Sequence, residues 1–229
     1  MTRFHWVLRT RSYFFLFVFL VSFTGHEFSR IRAAEPGTRN VICFGDSITA
    51  GYGLENASAE SYPALLQKKL DQAQAKTDTG ARWRIVNAGL SGETTAGGAR
   101  RIDWVLRQPV DIFILALGGN DGLRGLDPAS SQKNLQTIID RVRARYPTAK
   151  IILAGMMMPP SMGEDYVRAF ATMYHALASK NELTLIPFLL EGVGGHSELN
   201  QADTIHPNLA GHIIIAETLW RKIQLLITL

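Results

Sequence analysis

Apolar and polar positions follow two rhythms along this chain. Short apolar-dominated runs occur at Val41–Phe44, Trp83–Val86, Val110–Leu117, Ile151–Ala154 and Leu183–Ile186. Runs of that length, rich in Val, Ile, Leu and Phe, predict strands buried on both faces. Between them the spacing changes to that of helices. Tyr62–Gln74 places Leu65, Leu66, Lys69 and Leu70 at helical intervals, and Ala99–Leu106 reads the same way. Ser130–Arg145 sets Leu135, Ile138, Ile139 and Val142 on one face, with Ser130 or Ser131 as the expected N-cap. Glu164–Ala178 predicts a further helix, and a last one starts at Pro207 and runs through Ile213–Ile215 to Leu226. Five strands alternating with helices predict a five-stranded parallel sheet covered on both faces, a three-layer α/β/α domain. There is no internal repeat, low-complexity block or interdomain linker.

Charge refines this picture at one end. The net charge of +4 suggests a polyanionic partner, but residues 1–34 hold Arg3, Arg9, Arg11, Arg30 and Arg32 against the single acid Glu27. From residue 35 to 229 the basic and acidic side chains balance, so the folded part needs no nucleic-acid partner. Arg3, Arg9 and Arg11 precede the apolar run Tyr13–Phe23, the order of an export signal. That run is shorter than the ~20 residues needed to cross a bilayer. Residues 1–34 are therefore expected to export the protein to the periplasm or the extracellular space, with an uncleaved N-terminal anchor as the alternative. Residues 35–229 are expected to form the domain. Cys43 is the only cysteine, which excludes an intramolecular disulfide, and its apolar surroundings favour a buried thiol over a nucleophile.

Four separated segments carry candidate chemistry: Gly45-Asp46-Ser47, Asn87-Ala88-Gly89-Leu90-Ser91-Gly92, Gly118-Gly119-Asn120-Asp121 and Asp203-Thr204-Ile205-His206-Pro207. In open parallel sheets functional groups gather beyond the carboxyl ends of the strands, where the first three segments fall. A serine hydroxyl needs a positioned base to become a nucleophile, and His206 can serve Ser47 in that way. Asp203, three residues before it, can orient the imidazole and stabilise its charged form. Attack on an ester carbonyl creates an oxyanion, for which the backbone N–H groups of Ser47 and Gly92 and the Asn120 amide are candidate donors. Gly89 is the alternative to Gly92. Asp46 has no chemical step of its own and is expected to shape the turn. The residue two after Ser47 is Thr49, so the G-x-S-x-G elbow of α/β-hydrolases is missing. Neither G-x-G-x-x-G nor a P-loop is present. Asp203, His206, His196 and His212 form too loose a set for a metal site. No cofactor is expected.

These motifs, in this order from about Val41 to the final helix, resemble the SGNH hydrolases, also called GDSL esterases. Ser47, Gly92, Asn120 and His206 would be the four residues that name the family. Gly118-Gly119-Asn120-Asp121-Gly122-Leu123-Arg124-Gly125 looks like the branch of the bacterial multifunctional thioesterase/arylesterase/lysophospholipase. The resemblance implies a flavodoxin-like fold, no metal and exported enzymes that hydrolyse small acyl esters or thioesters, with membrane lipids among possible substrates. The same fold also hosts carbohydrate O-deacetylases, and a non-catalytic acyl- or glycan-binding scaffold is the rival of another class. This chain departs from the branch in several places. Ile48 follows the serine where Leu is usual, and Glu93 stands where Asp is usual. Gln72–Arg82 is longer and is expected to be a surface loop. Met156-Met157-Met158-Pro159-Pro160 replaces a stretch that often holds arginine, and these methionines either line the acyl pocket or fill core. Arg124 is expected either at the mouth of the site or on plain surface.

Overall fold

The computed structural model describes Met1 and residues 37–76 and 82–227. The leader expected over residues 1–34 lies outside these, Met1 apart. The chain divides between Ala33 and Ala34, and the sheet and its helices belong to the larger unit, Ala34–Leu229. Five strands, β1 (Thr38–Gly45), β2 (Arg82–Gly89), β3 (Ile112–Ala116), β4 (Lys150–Ala154) and β5 (Thr184–Ile186), form one sheet in the order β2-β1-β3-β4-β5. Every neighbouring pair is parallel. In chain order the helices are α1 (Ser47–Ala50), α2 (Ala57–Glu60), α3 (Tyr62–Gln74), α4 (Thr95–Val105), α5 (Gly119–Leu123), α6 (Pro128–Arg145), α7 (Glu164–Lys180) and α8 (Leu209–Ile223). The three-layer α/β/α expectation holds.

Right-handed crossovers decide which helix covers which face. The step from β1 to β2 runs one way along the sheet and the later steps run the other, so the connecting helices fall on opposite faces. Accordingly α3 packs on α8, while α4 packs on α6 and α6 on α7. Val41–Phe44 of β1 and all of β3 are buried between these layers. The chain reverses its direction of travel between β1 and β3, and that is where a crevice opens at the carboxyl edge. Gly45 is in register with Gly89 on one side and Ala116 on the other, so the three strands end level. The segments after β1, β2 and β3 therefore start from one line.

Several boundaries differ from the sequence expectation. Helix α6 begins at Pro128 and is capped by Asp127, whose carboxylate accepts the Ala129 and Ser130 N–H groups at 3.2 and 3.0 Å. Ser131 turns inward instead, its hydroxyl donating to Asp121 at 3.1 Å. Helix α8 starts at Leu209 behind an Asn208 cap, because Pro207 is held in an antiparallel bridge to Asn200. The expected loop Gln72–Arg82 is helical as far as Gln74, strand at Arg82, and outside the described residues at 77–81. Helices α1, α2 and α5 have four or five residues each, too few to show a period.

Candidate active site

The turn after β1 is built by tight approach. A Cβ on Gly45 would lie 2.0 Å from Thr49 Oγ1 and 2.7 Å from the Ala116 carbonyl, and one on Gly89 would lie 2.3 Å from the Ala50 nitrogen. Only glycine at both positions lets α1 sit on the strand ends, so Gly89 shapes the loop. Asp46 caps α1 by accepting the Ile48 N–H at 3.1 Å, and Ser47 becomes the first residue of that helix. Its backbone N–H is thereby one of the end groups that helical bonding leaves unused.

The second piece comes from the loop before α8. Asn200 donates to the carbonyls of Val193 and His196, both at 2.7 Å, and so anchors the loop. Thr204 takes a left-handed conformation, φ 60°, which tightens the turn between Asp203 and His206. One Asp203 oxygen accepts the N–H groups of Ile205 and His206 at 2.9 and 3.0 Å. The other oxygen meets His206 Nδ1 at 2.6 Å. These three bonds, led by the His206 backbone N–H and its side chain, hold the Asp203 carboxyl down at about 2. On the far side of the ring, His206 Nε2 stands 3.0 Å from Ser47 Oγ. Ser47, His206 and Asp203 thus form one continuous hydrogen-bonded line.

Asn120 arrives on α5, a short helix. Its start needs Gly118, at φ 123°, where a Cβ would lie 2.1 Å from the Tyr174 hydroxyl. The next residue, Asp121, is buried and accepts the Thr95 N–H and hydroxyl at 2.8 and 2.6 Å, fixing α5 to the start of α4. Asn120 Nδ2 points at the second Asp46 oxygen, 3.4 Å away. One amide hydrogen is thereby directed at Asp46 and the other remains for a ligand. Gly92, at φ 77°, sits in the turn after β2, and Arg124 at the end of α5 donates to its carbonyl at 3.1 Å. That is where exposed Arg124 is engaged. Buried Glu93 braces the same turn through Arg101, which also donates to the Ala88 carbonyl at 3.0 Å. The Glu-for-Asp departure thus contributes an internal ion pair.

Asp46 is the electrostatic outlier. Burial lifts its carboxyl to about 6, against the lowering effects of the Ile48 N–H, the charge on His206 and Asn120. The folded value lies above the ordinary 3.8, so between these pH values the folded state holds the extra proton. Stability contributed by Asp46 is therefore lost as pH rises through that window. Asp46→Asn stays neutral throughout, and its melting temperature relative to the parent should climb between about pH 4 and about pH 6. His212 works in the opposite sense, since burial lowers it from 6.5 to about 4. Its contribution is present above 6.5 and lost on acidification, but it is common to both proteins and cancels in the comparison. Thermal unfolding across this range checks the result; a difference independent of pH would refute the raised Asp46 value.

The other candidates are occupied elsewhere. His212 is buried in α8, where its Nδ1 accepts the Tyr62 N–H at 3.1 Å, a structural role. His196 faces Glu198 at 3.5 Å. Among the described residues no three His, Cys, Asp or Glu side chains could hold a metal ion. Cys43 is fully buried, which pushes its thiol well above the ordinary value and leaves it without thiolate character. Two residues that pattern did not single out also belong to the site. The Tyr52 ring lies 4.7 Å from the His206 ring, and Gln201 spans the two loops.

The model of the GDSL-like lipase/acylhydrolase family matches residues 43–214, which contain all four segments. This chain belongs to that family. It is an ester hydrolase of the SGNH type, with the five-stranded sheet its relatives share. It is 39% identical to the esterase TesA of Pseudomonas aeruginosa over 191 residues, 83% of this chain and 90% of that protein. Identity to the thioesterase 1/protease 1/lysophospholipase L1 of Escherichia coli K12 is 35% over 214 residues, 93% of this chain and 92% of the other. A crystal structure of TesA superposes with a TM-score of 0.75 at 39% identity, covering 82% of this chain and all of that one.

Beside Ser47, His206 and Asn120 the carboxyl edge of the sheet holds a cavity of about 540 Å³. Its walls away from the catalytic groups are mostly apolar, with Met156, Met157, Met158, Phe188 and Leu190, while Asp46 and Thr204 add polar surface. The methionine run both fills core and lines this cavity. Met156 and Met158 are buried core residues that also face the cavity, whereas Met157 is 49% exposed at its rim.

Proposed function

We propose that this hydrolase cleaves esters and thioesters of apolar acyl groups through an acyl-enzyme on Ser47. The observation that carries the reading is the hydrogen-bonded line Ser47–His206–Asp203 opening onto the methionine-lined cavity. His206 Nε2 takes the Ser47 proton as Oγ attacks the acyl carbon. The oxyanion is held by the N–H groups of Ser47 and Gly92 and by Asn120 Nδ2. The imidazolium, stabilised by Asp203, gives its proton to the leaving alcohol or thiol. Water then enters, His206 removes its proton, and the acid departs with Ser47 restored.

The cavity supports an apolar acyl group rather than a sugar. Met, Phe, Leu and Pro side chains offer an acetylated glycan few hydrogen-bond partners, whereas unbranched thioethers adapt to acyl chains of varied length. The names of the relatives, esterase and thioesterase/lysophospholipase, point to the same substrate classes. Hydrolysis of p-nitrophenyl esters from acetate to palmitate tests the reading. Values of kcat/KM should rise from acetate into the medium-chain esters, since each buried CH2 contributes about 0.8 kcal/mol. Met157→Lys should flatten that rise and leave acetate nearly unchanged. A profile that peaks at acetate and ignores Met157 would overturn the acyl-pocket assignment and favour O-deacetylation.

A further inference from the structure

Ser47 and His206 come from opposite ends of the domain, and a contact 3.0 Å long needs more than their own hydrogen bond to hold it. Asp203 fixes the Nδ1 side of the imidazole, but it belongs to the same loop as His206 and cannot register that loop against α1. The side chain that spans the gap is Gln201. Its amide nitrogen donates to the Tyr52 carbonyl at 2.7 Å and to the Pro207 carbonyl at 3.0 Å. Both of its hydrogens are used. Its backbone N–H donates to the His206 carbonyl at 2.8 Å, and its carbonyl accepts the Thr204 N–H at 2.9 Å. Gln201 therefore grips the histidine loop at three residues and reaches across with its amide to a fourth, Tyr52.

Tyr52 is coupled to the nucleophile. Its backbone N–H donates to the Ser47 carbonyl at 3.0 Å, as does that of Gly51. Its ring covers His206 at 4.7 Å, limiting rotation of the imidazole away from Ser47. The turn is shaped around the glutamine: a Cβ on Gly53, at φ 75°, would lie 2.0 Å from Gln201 Oε1, so a larger residue there would push the amide aside. We propose that Gln201 is a positioning residue, a clamp that registers the His206 loop against the Ser47 helix through the Tyr52–Gly53 turn. It touches no reacting atom. Its loss should let the Ser47–His206 contact lengthen, which slows proton transfer and leaves the acyl cavity intact.

The proposal rests on Ser47 and His206 being the reacting pair. Gln201→Leu removes both donors at similar size, and Gly53→Ala pushes on the same contact from the other side. Both, the double variant and Ser47→Ala are assayed on p-nitrophenyl butyrate, well below their melting temperatures and per folded molecule. Each single variant should lose roughly ten- to hundredfold in kcat with KM within about threefold, since misplacement of about 1 Å costs on that order. The double variant should be no slower than the slower single one, because both disturb one contact. A Gln201→Leu enzyme within twofold of the parent kcat, or losses that multiply in the double variant, would overturn the clamp. If Gln201→Leu does not fold, Gly53→Ala decides by the same kcat and KM criterion. An active Ser47→Ala would overturn both the clamp and the pair beneath it, whereas an inactive one leaves a normal Gln201→Leu to count against the clamp alone.

Discussion

Ser47→Ala should lower kcat for ester hydrolysis by about 10⁶, the loss expected when the nucleophile of a working triad is removed. The size follows from the arrangement. Without Oγ there is no acyl-enzyme, and His206 can only direct water against a carbonyl from which the alanine methyl holds it back. What remains is the oxyanion donors and substrate binding, worth roughly 10³–10⁴ over water. The substitution should leave the fold alone. Ser47 is buried at the start of a four-residue helix whose capping bond comes from Asp46. Losing one hydroxyl, whose partner among the described residues is His206, should change stability within about 1 kcal/mol. A fluorophosphonate probe makes the result specific, since it should label the parent and not the variant. Residual hydrolysis above a hundredth of the parent rate would remove Ser47 from the nucleophile's role.

Parts of this site were legible because they are local. Apolar runs located β1 and β3, and helical spacing gave α3 as Tyr62–Gln74, the bounds the structure has. Ser47, Asn120 and His206 could be read because each follows a strand or precedes a helix at one sheet edge. The pattern was silent where the decisive contact joins distant residues or depends on burial. Asp46 looks like an ordinary turn aspartate in sequence; only burial in the folded chain gives it an abnormal proton affinity, against the opposing bonds from Ile48 and Asn120. Tyr52 and Gln201 lie 149 residues apart, and no periodicity links a turn tyrosine to a loop glutamine. The α6 cap differs from the sequence expectation for a related reason. Ser130 and Ser131 are good caps by type, but Pro128 suits the first helical position, which makes Asp127 the cap. Ser131 is drawn inward by Asp121, a partner the local sequence does not reveal.

Asp203→Asn should cost about 10⁴ in kcat while leaving the loop nearly native. The carboxylate does two jobs with separate oxygens. One accepts the Ile205 and His206 N–H groups and makes the turn; the other accepts Nδ1–H, which leaves Nε2 bare to receive the Ser47 proton. Asparagine retains a single oxygen. The two backbone donors claim it, since leaving both unpaired would be the costlier choice. The amide NH2 then faces Nδ1 and imposes the opposite tautomer, with hydrogen on Nε2 pointing at Ser47 Oγ. A base that already holds the proton cannot take another. Asp203→Ala removes both functions, so it should lose stability as well as activity. The pH dependence separates the two variants from the parent. At about 2, the Asp203 carboxyl stays ionised through the working range, so its stabilising effect on the loop persists until pH falls below the ordinary 3.8 toward that value. Neither variant should show that acid-limb loss. Steady-state kinetics and thermal unfolding of Asp203→Asn test the division directly. A melting temperature close to the parent's with a four-decade fall in kcat is the expected pair. A loss of less than tenfold would mean that His206 keeps its tautomer without the carboxylate, and that the aspartate serves only the turn.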